Sequence, residues 1–89
     1  MATVKLFGNL HQIAGVSAVE LPGNNVSEVL DALFNQKDGL REALCDGEAL
    51  KPHVRVVIDG QDIELAQGLK TEVSESSSMA IFPPLAGGI

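Results

Sequence analysis

Eighty-nine residues leave room for one domain, because independently folding units cluster near about 100 to 150 residues; a second folded unit and an enclosed, self-sufficient active site are both excluded. Apolar residues make up 45% and charged ones 20%, an ordinary globular balance far from a disordered composition. Twelve Asp and Glu against six Lys and Arg give a net charge of -6, a surface that repels phosphate backbones, so nucleic acid and anionic membranes are poor partners and positively charged protein surfaces better ones.

Thr3 to Phe7 alternates, with Val4 and Leu6 on one side and Thr3 and Lys5 on the other, the period of a half-buried strand. Gly8-Asn9 breaks it, and Leu10, Ile13 and Ala14 are spaced as one helical turn that plugs an end of the core. A second strand is expected at Val16 to Leu21. After Pro22-Gly23, Asn25 stands three residues before Glu28, the spacing at which each side chain satisfies the other's backbone N–H at a helix start. Val26, Val29, Leu30, Leu33 and Phe34 then form a stripe at helical spacing, predicting an amphipathic helix over 26–36.

Leu40, Ala43 and Leu44 predict a short second helix ending at Gly47. Pro52 holds Lys51 extended, and Val54, Val56 and Ile58 alternate with Arg55, Val57 and Asp59 as a third strand. Asp59-Gly60 is a hairpin signal, since Gly60 adopts positive φ without a Cβ clash, and a short fourth strand is expected at Asp62 to Leu65. Gly68 to Val73 reads as an irregular turn with Leu69 and Val73 as plugs, Ser74 to Ser78 as a polar loop, and Met79 to Phe82 as the last strand. Pro83-Pro84 ends sheet pairing for want of backbone donors.

The interior offers little chemistry. His11 and His53 lie apart with no further ligand at metal-binding spacing, so no metal site is expected. Cys45, the single cysteine, forms no internal disulfide; it is expected to be buried beside the second helix, and a lone cysteine either points to a cytoplasmic compartment or says nothing of it. No apolar run approaches a membrane span and no export signal heads the chain. Asp59, Asp62 and Glu64 are candidate acids for docking on a basic partner, or members of an ordinary solvated face. Nucleophile-elbow, phosphate-loop and dinucleotide motifs are lacking, so no independent catalytic site is expected.

What remains is the end of the sequence. The six residues from Pro84 to Ile89 can extend by about 20 Å at 3.3–3.6 Å each, enough to enter another protein's cleft. Gly87 and Gly88 remove the β-carbons that would hinder approach to the backbone carbonyl. The same composition also describes a frayed terminus.

Phe82-Pro83-Pro84-Leu85-Ala86-Gly87-Gly88 resembles the terminal signature of the MoaD/ThiS family of ubiquitin-like sulfur carriers, and most of all that of molybdopterin synthase small subunits. Val4-Lys5-Leu6-Phe7 with Ala14-Gly15, the helix at Val26 to Phe34 and the strand before Pro83 follow in the family's order, so the resemblance spans almost the whole chain. Asp62-Ile63-Glu64 to Gly68-Leu69-Lys70-Thr71 is similar to a subgroup that includes actinobacterial carriers for cysteine synthesis and archaeal ubiquitin-like modifiers. Ser74-Glu75-Ser76-Ser77-Ser78 departs from the Gly-Asp turn usual in the family.

The resemblance implies an α+β, β-grasp (ubiquitin-like) fold over 1–83, a mixed sheet with one main helix packed on one face, followed by a flexible extended tail at 84–89. It implies that Gly88, with Gly87 beside it, is adenylated by an E1-like enzyme and converted to a thiocarboxylate, and that Phe82, Pro83, Pro84, Leu85 and Ala86 contact the partner. Ile89 follows Gly88 and keeps its carbonyl an amide, so removal of Ile89 by a metallopeptidase is expected. ATP is used by the partner, with no cofactor held stably. The sulfur acceptor is then the large subunit of molybdopterin synthase, or another enzyme in cysteine synthesis or tRNA thiolation. A modifier joined to lysines through Gly88 is the alternative, and a plain binding module is the remaining one.

Overall fold

The computed structural model of the chain describes residues 1–47 and 49–83. Its strands and helices are β1 (Ala2–Leu6), α1 (Asn9–Ala14), β2 (Ala18–Leu21), α2 (Val26–Gln36), α3 (Leu40–Leu44), β3 (Cys45–Asp46), β4 (Ala49–Leu50), β5 (Arg55–Ile58), β6 (Gln61–Asp62) and β7 (Ser78–Phe82). Five strands form one mixed sheet in the order β2-β1-β7-β5-β6, with β1 and β7 parallel at its centre and the other pairings antiparallel. This is the β-grasp arrangement, with α2 as the main helix on one face.

Alternation decides which side chains meet that helix. Ala2, Val4 and Leu6 of β1, Met79 and Ile81 of β7, and Val56 and Ile58 of β5 point into the core. Val26, Val29, Leu30 and Leu33 of α2 close over them, while Phe34, the last of the expected stripe, is only partly buried and lies under the Arg41 guanidinium at 4.8 Å. Burying such a side chain contributes about 1.5–3 kcal/mol, so this layer supplies most of what holds the sheet to the helix.

The helix start follows its sequence signal with one change of partner. The Glu28 backbone N–H donates to Asn25 Oδ1 at 2.9 Å, as expected, but Glu28 Oε1 accepts from the Asn24 N–H at 2.9 Å, not from that of Asn25. The Val26 N–H instead reaches the Thr71 carbonyl, and Val73 donates to the Asn24 carbonyl, so the 71–73 segment is pinned to the helix start. Leu69 and Val73 plug the core as their spacing implies, with a 3-10 turn at Gly68–Lys70 inside the expected irregular segment.

Several boundaries differ from the sequence expectation. Strand β2 begins at Ala18 and not at Val16. The second helix ends at Leu44, not Gly47, because Cys45 is extended (φ -117°, ψ 149°) and pairs with Leu50 in a small separate hairpin. The third strand runs only from Arg55 to Ile58, and the last begins one residue early at Ser78. The expected fourth strand at Asp62 to Leu65 is mostly a 3-10 turn, Ile63–Leu65, since Asp62 Oδ1 accepts from the Glu64 N–H at 2.9 Å and turns buried Ile63 into the core.

The hairpin signal at Asp59-Gly60 holds, with both residues at positive φ (49° and 89°) and Ile58 opposite Gln61. Asp59 also ties this hairpin to the neighbouring strand, since its N–H donates to the Ser78 carbonyl and its Oδ1 accepts from the Ser78 N–H, both at 2.9 Å. In the serine-rich loop, Ser77 Oγ accepts from the Ser74 N–H at 2.9 Å while Ser77 N–H donates to the Ser74 carbonyl. Hydroxyls thus close this turn, and buried Ser77 passes its carbonyl to Thr3 of β1.

Candidate functional site

The site begins where the central strand β7 ends. Its inward residues Met79 and Ile81 are fully buried, which anchors the strand and leaves Ser78, Ala80 and Phe82 on the sheet face opposite α2. On that face Lys5 stands opposite Ala18 and Ala80, Val57 opposite Ala80 and Asp62, and Arg55 opposite Phe82. Ala80, the small residue of this face, lies between Lys5 and Val57, two positions before Phe82.

Phe82 does not stand alone. Its ring stacks on that of Phe7, with centroids 4.7 Å apart and planes 12° from parallel. The Phe7 N–H donates to the Ile81 carbonyl at 3.2 Å, carrying the β1–β7 pairing one residue past β1. Pro83 then lies over Gly8, where an added Cβ would be 2.7 Å from Pro83 Cγ and 3.3 Å from Cδ. Gly8 sits at φ 61°, ψ -140°, a conformation open essentially to glycine, and it precedes the first residue of α1. A shallow depression lined by Lys5, Phe7, Gly8, His11 and Ser17 adjoins this corner.

Of the site residues expected from sequence, Phe82 and Pro83 are thus brought together with Phe7 and Gly8. Pro84, Leu85, Ala86, Gly87, Gly88 and Ile89 lie outside the described residues. Sequence reasoning did not mark Phe7 and Gly8 as site residues. Their signal was present in the alternation, which continues from Thr3 and Lys5 to place Phe7 on the open face, and Phe7 is 40% exposed there.

Two of the three acids considered for docking also make internal bonds. Asp59 ties the hairpin to β7, and Asp62 both caps the Ile63–Leu65 turn and pairs with Arg55 Nη2 at 3.1 Å. With Arg55 largely exposed, that pair contributes about 0–1 kcal/mol. Among the described residues, Glu64 is the one of the three whose carboxylate makes no internal bond.

Cys45 is half-buried, not buried, at a hollow formed with Leu30, Phe34, Arg41 and Leu50. Burial pushes its thiol up, Asp31 adds to that, and Arg41 and Lys51 pull the other way without reversing it. Those two cations were not weighed from the sequence, yet the net direction stays upward, away from the low value of a reactive thiolate. Among the described residues no cluster of His, Cys, Asp and Glu could hold a metal ion, and no helix is long and apolar enough to cross a membrane.

Comparison with known proteins gives one consistent picture. The sequence matches the ThiS family over residues 4–88, a span that takes in Gly87 and Gly88. It is 27% identical over 88 residues to small archaeal modifier protein 3 of Haloferax volcanii, covering 96% of each chain. The structure resembles the small archaeal modifier protein 1 of Methanosarcina acetivorans, with a TM-score of 0.88, 31% identity, and 98% of this chain and 95% of that one covered. It resembles equally a chain of the BexX/CysO complex of Amycolatopsis orientalis, with a TM-score of 0.88, 28% identity, and 99% and 100% covered.

Proposed function

The chain belongs to the ThiS family of ubiquitin-like sulfur carriers, and from that premise we propose that Gly88, freed of Ile89 by a metallopeptidase, is the residue that carries sulfur. The observation that carries this reading is the placement of Phe82 and Pro83. The central strand of the sheet ends at Phe82 beside the face opposite α2, and Pro84-Leu85-Ala86-Gly87-Gly88 follow it in sequence.

The chemistry needs a partner at each step. A free Gly88 carboxylate is a poor electrophile, so an E1-like enzyme transfers AMP from ATP to it, releasing pyrophosphate. Hydrosulfide-level sulfur from a donor then forms a C–S bond at the carbonyl carbon as the C–O bond to AMP breaks, leaving a thiocarboxylate, AMP and a proton. The thiocarboxylate sulfur is a strong nucleophile on an arm without side chains at its last two positions. The domain contributes recognition through Phe7, Phe82 and the sheet face around Ala80, and the catalytic groups and the ATP belong to the partner.

Three readings have support, two of them destinations for the sulfur. The Phe82-Pro83-Pro84 lead-in favours donation to a molybdopterin precursor on the large subunit of molybdopterin synthase. The likeness to a CysO chain solved with BexX, and to archaeal modifiers, favours another sulfur-accepting enzyme, such as one of cysteine synthesis or tRNA thiolation, or isopeptide linkage through Gly88. Intact mass of the protein isolated from its own host, under conditions that preserve a thioacid, tests the shared chemistry. A species without Ile89 and with sulfur in place of one terminal oxygen is expected; a population that retains Ile89 throughout would refute it. Deletion of the gene then separates destinations, since loss of molybdoenzyme activity, cysteine auxotrophy and loss of reductant-resistant conjugates are distinct outcomes.

A further inference from the structure

We propose that the sheet face opposite α2 docks on a protein surface that is anionic at the contact, with carboxylates placed against Arg55 and Lys5 around an apolar patch that covers Phe7 and Phe82. The proposal rests on the reading of this chain as a carrier gripped by an adenylating enzyme, and it names the chemistry of the gripping surface.

The strand register sorts the charges on this face. Phe7, Phe82 and Arg55 stand side by side across β1, β7 and β5. Lys5 and Asp62 belong to the next row, on either side of Ala80 and Val57, about 6.6–6.8 Å further along the strands. One row beyond, Glu20 stands opposite Thr3, and Asp59 is bonded to Ser78. The two cations of the face therefore flank the aromatic pair, and exposed carboxylates stand at its far end.

Arg55 is held ready for an anion. Asp62 Oδ2 takes one guanidinium N–H at 3.1 Å and Asp62 Oδ1 accepts the Glu64 N–H, so both carboxylate oxygens are engaged. The Asp62 side chain is 13% exposed and that of Arg55 66%, so the pair presents to a partner the guanidinium and not the carboxylate. A side chain already fixed loses less entropy on docking, and the planar fork of donors matches a carboxylate bidentately. Among the described residues Lys5 makes no ion pair, and it lines the depression beside Phe7 and His11.

This sign is opposite to the one that the net charge of -6 suggests. Net charge sums over the whole surface, including exposed Glu28 and Asp31 on α2, whereas docking reads the face in contact. The far-end acids add direction, because a partner turned end for end would set its carboxylates against Glu20 and Asp59.

The test is the dissociation constant of the full chain for the E1-like enzyme of the same host, measured by isothermal titration calorimetry, which needs no activated terminus. Arg55→Gln is expected to weaken binding by about 10-fold or more, and Lys5→Glu by about 5- to 10-fold. Arg55→Lys, which keeps the charge and loses the fork, is expected to fall between Arg55→Gln and the starting protein. Lys70→Glu, a charge reversal in the Gly68–Lys70 turn packed against α2, and Glu64→Gln, at the acid without an internal bond, are expected to leave affinity unchanged. Urea midpoints establish that each variant is folded. Starting affinity in both Arg55→Gln and Lys5→Glu, an equal loss in Lys70→Glu, or a loss confined to Glu64→Gln would overturn the proposal, as would the absence of binding by the starting chain. ATP–pyrophosphate exchange with the chain ending at Gly88 is read separately: binding in the expected charge pattern without adenylation would support the docking surface and count against Gly88 as the activated residue.

Discussion

A double-mutant cycle on Phe7 and Phe82 tests whether the root of the arm is a coupled unit. Fully burying a Phe side chain contributes about 1.5–3 kcal/mol, and Phe7 is 40% exposed, so Phe7→Ala should cost roughly 1–2 kcal/mol. Phe82 is likewise half-buried and should cost a similar amount. Aromatic pairs contribute about 0.5–1.5 kcal/mol beyond area. Rings 12° from parallel with centroids 4.7 Å apart are separated by more than the about 3.5–4.0 Å of atoms in contact, which makes the stacking an offset, favourable one, and the partial exposure of both rings places the pair toward the lower end of that range. The double variant should therefore lose less than the sum of the singles by about 0.5–1 kcal/mol. Urea unfolding followed by far-UV circular dichroism is the assay, since the chain has no Trp or Tyr to report by fluorescence. For a domain of this size each kcal/mol corresponds to about 4–8 °C in Tm, so thermal melts give a second reading. Additive losses within about 0.3 kcal/mol, with unchanged m-values, would show that the rings act independently and would refute the coupling.

Asn25→Ala should lower stability by about 1 kcal/mol in urea unfolding, because the Glu28 N–H loses its cap, while Asn25→Asp should retain most of it. Leu33→Ala, at a fully buried position on α2, should cost about 2–5 kcal/mol by the same assay through lost burial and a residual cavity. Iodoacetamide alkylation of Cys45 should rise with pH through a midpoint above the ordinary thiol value of about 8.5, because burial favours the neutral form. The folded-state value being raised, the thiol's contribution to stability is complete below the unfolded value and declines as pH climbs through the folded one. Alkaline melts of Cys45→Ala should lack that part of the decline.

Local patterns were legible in the chain wherever neighbouring residues decide the outcome. The Asn25/Glu28 start, the stripe from Val26 to Leu33 and the Asp59-Gly60 hairpin each depend on bonds or spacings within a few residues, and each is present in the fold. Family membership was legible too, through the Phe82 to Gly88 segment and the order of elements, and the match over residues 4–88 agrees with it. Short-range reasoning failed at Asp62 to Leu65, where alternation suggested a strand. There the Asp62 carboxylate captured the Glu64 N–H, and Ile63 found its burial by turning into the core.

The tertiary structure alone decided which distant residues share a surface. Sequence spacing placed Phe7 at the end of one strand and Phe82 at the end of another, with no local sign that they meet. Parallel pairing of β1 with β7 sets Thr3 beside Ser78 and Lys5 beside Ala80, and that register carries Phe7 to Phe82 and Gly8 under Pro83. Asp59 and Asp62, candidate docking acids, gained internal partners for the same reason, because Ser78 and Arg55 reach them through sheet pairing. Periodicity is a property of adjacent residues and can be read along a chain, whereas register is chosen by the whole core at once.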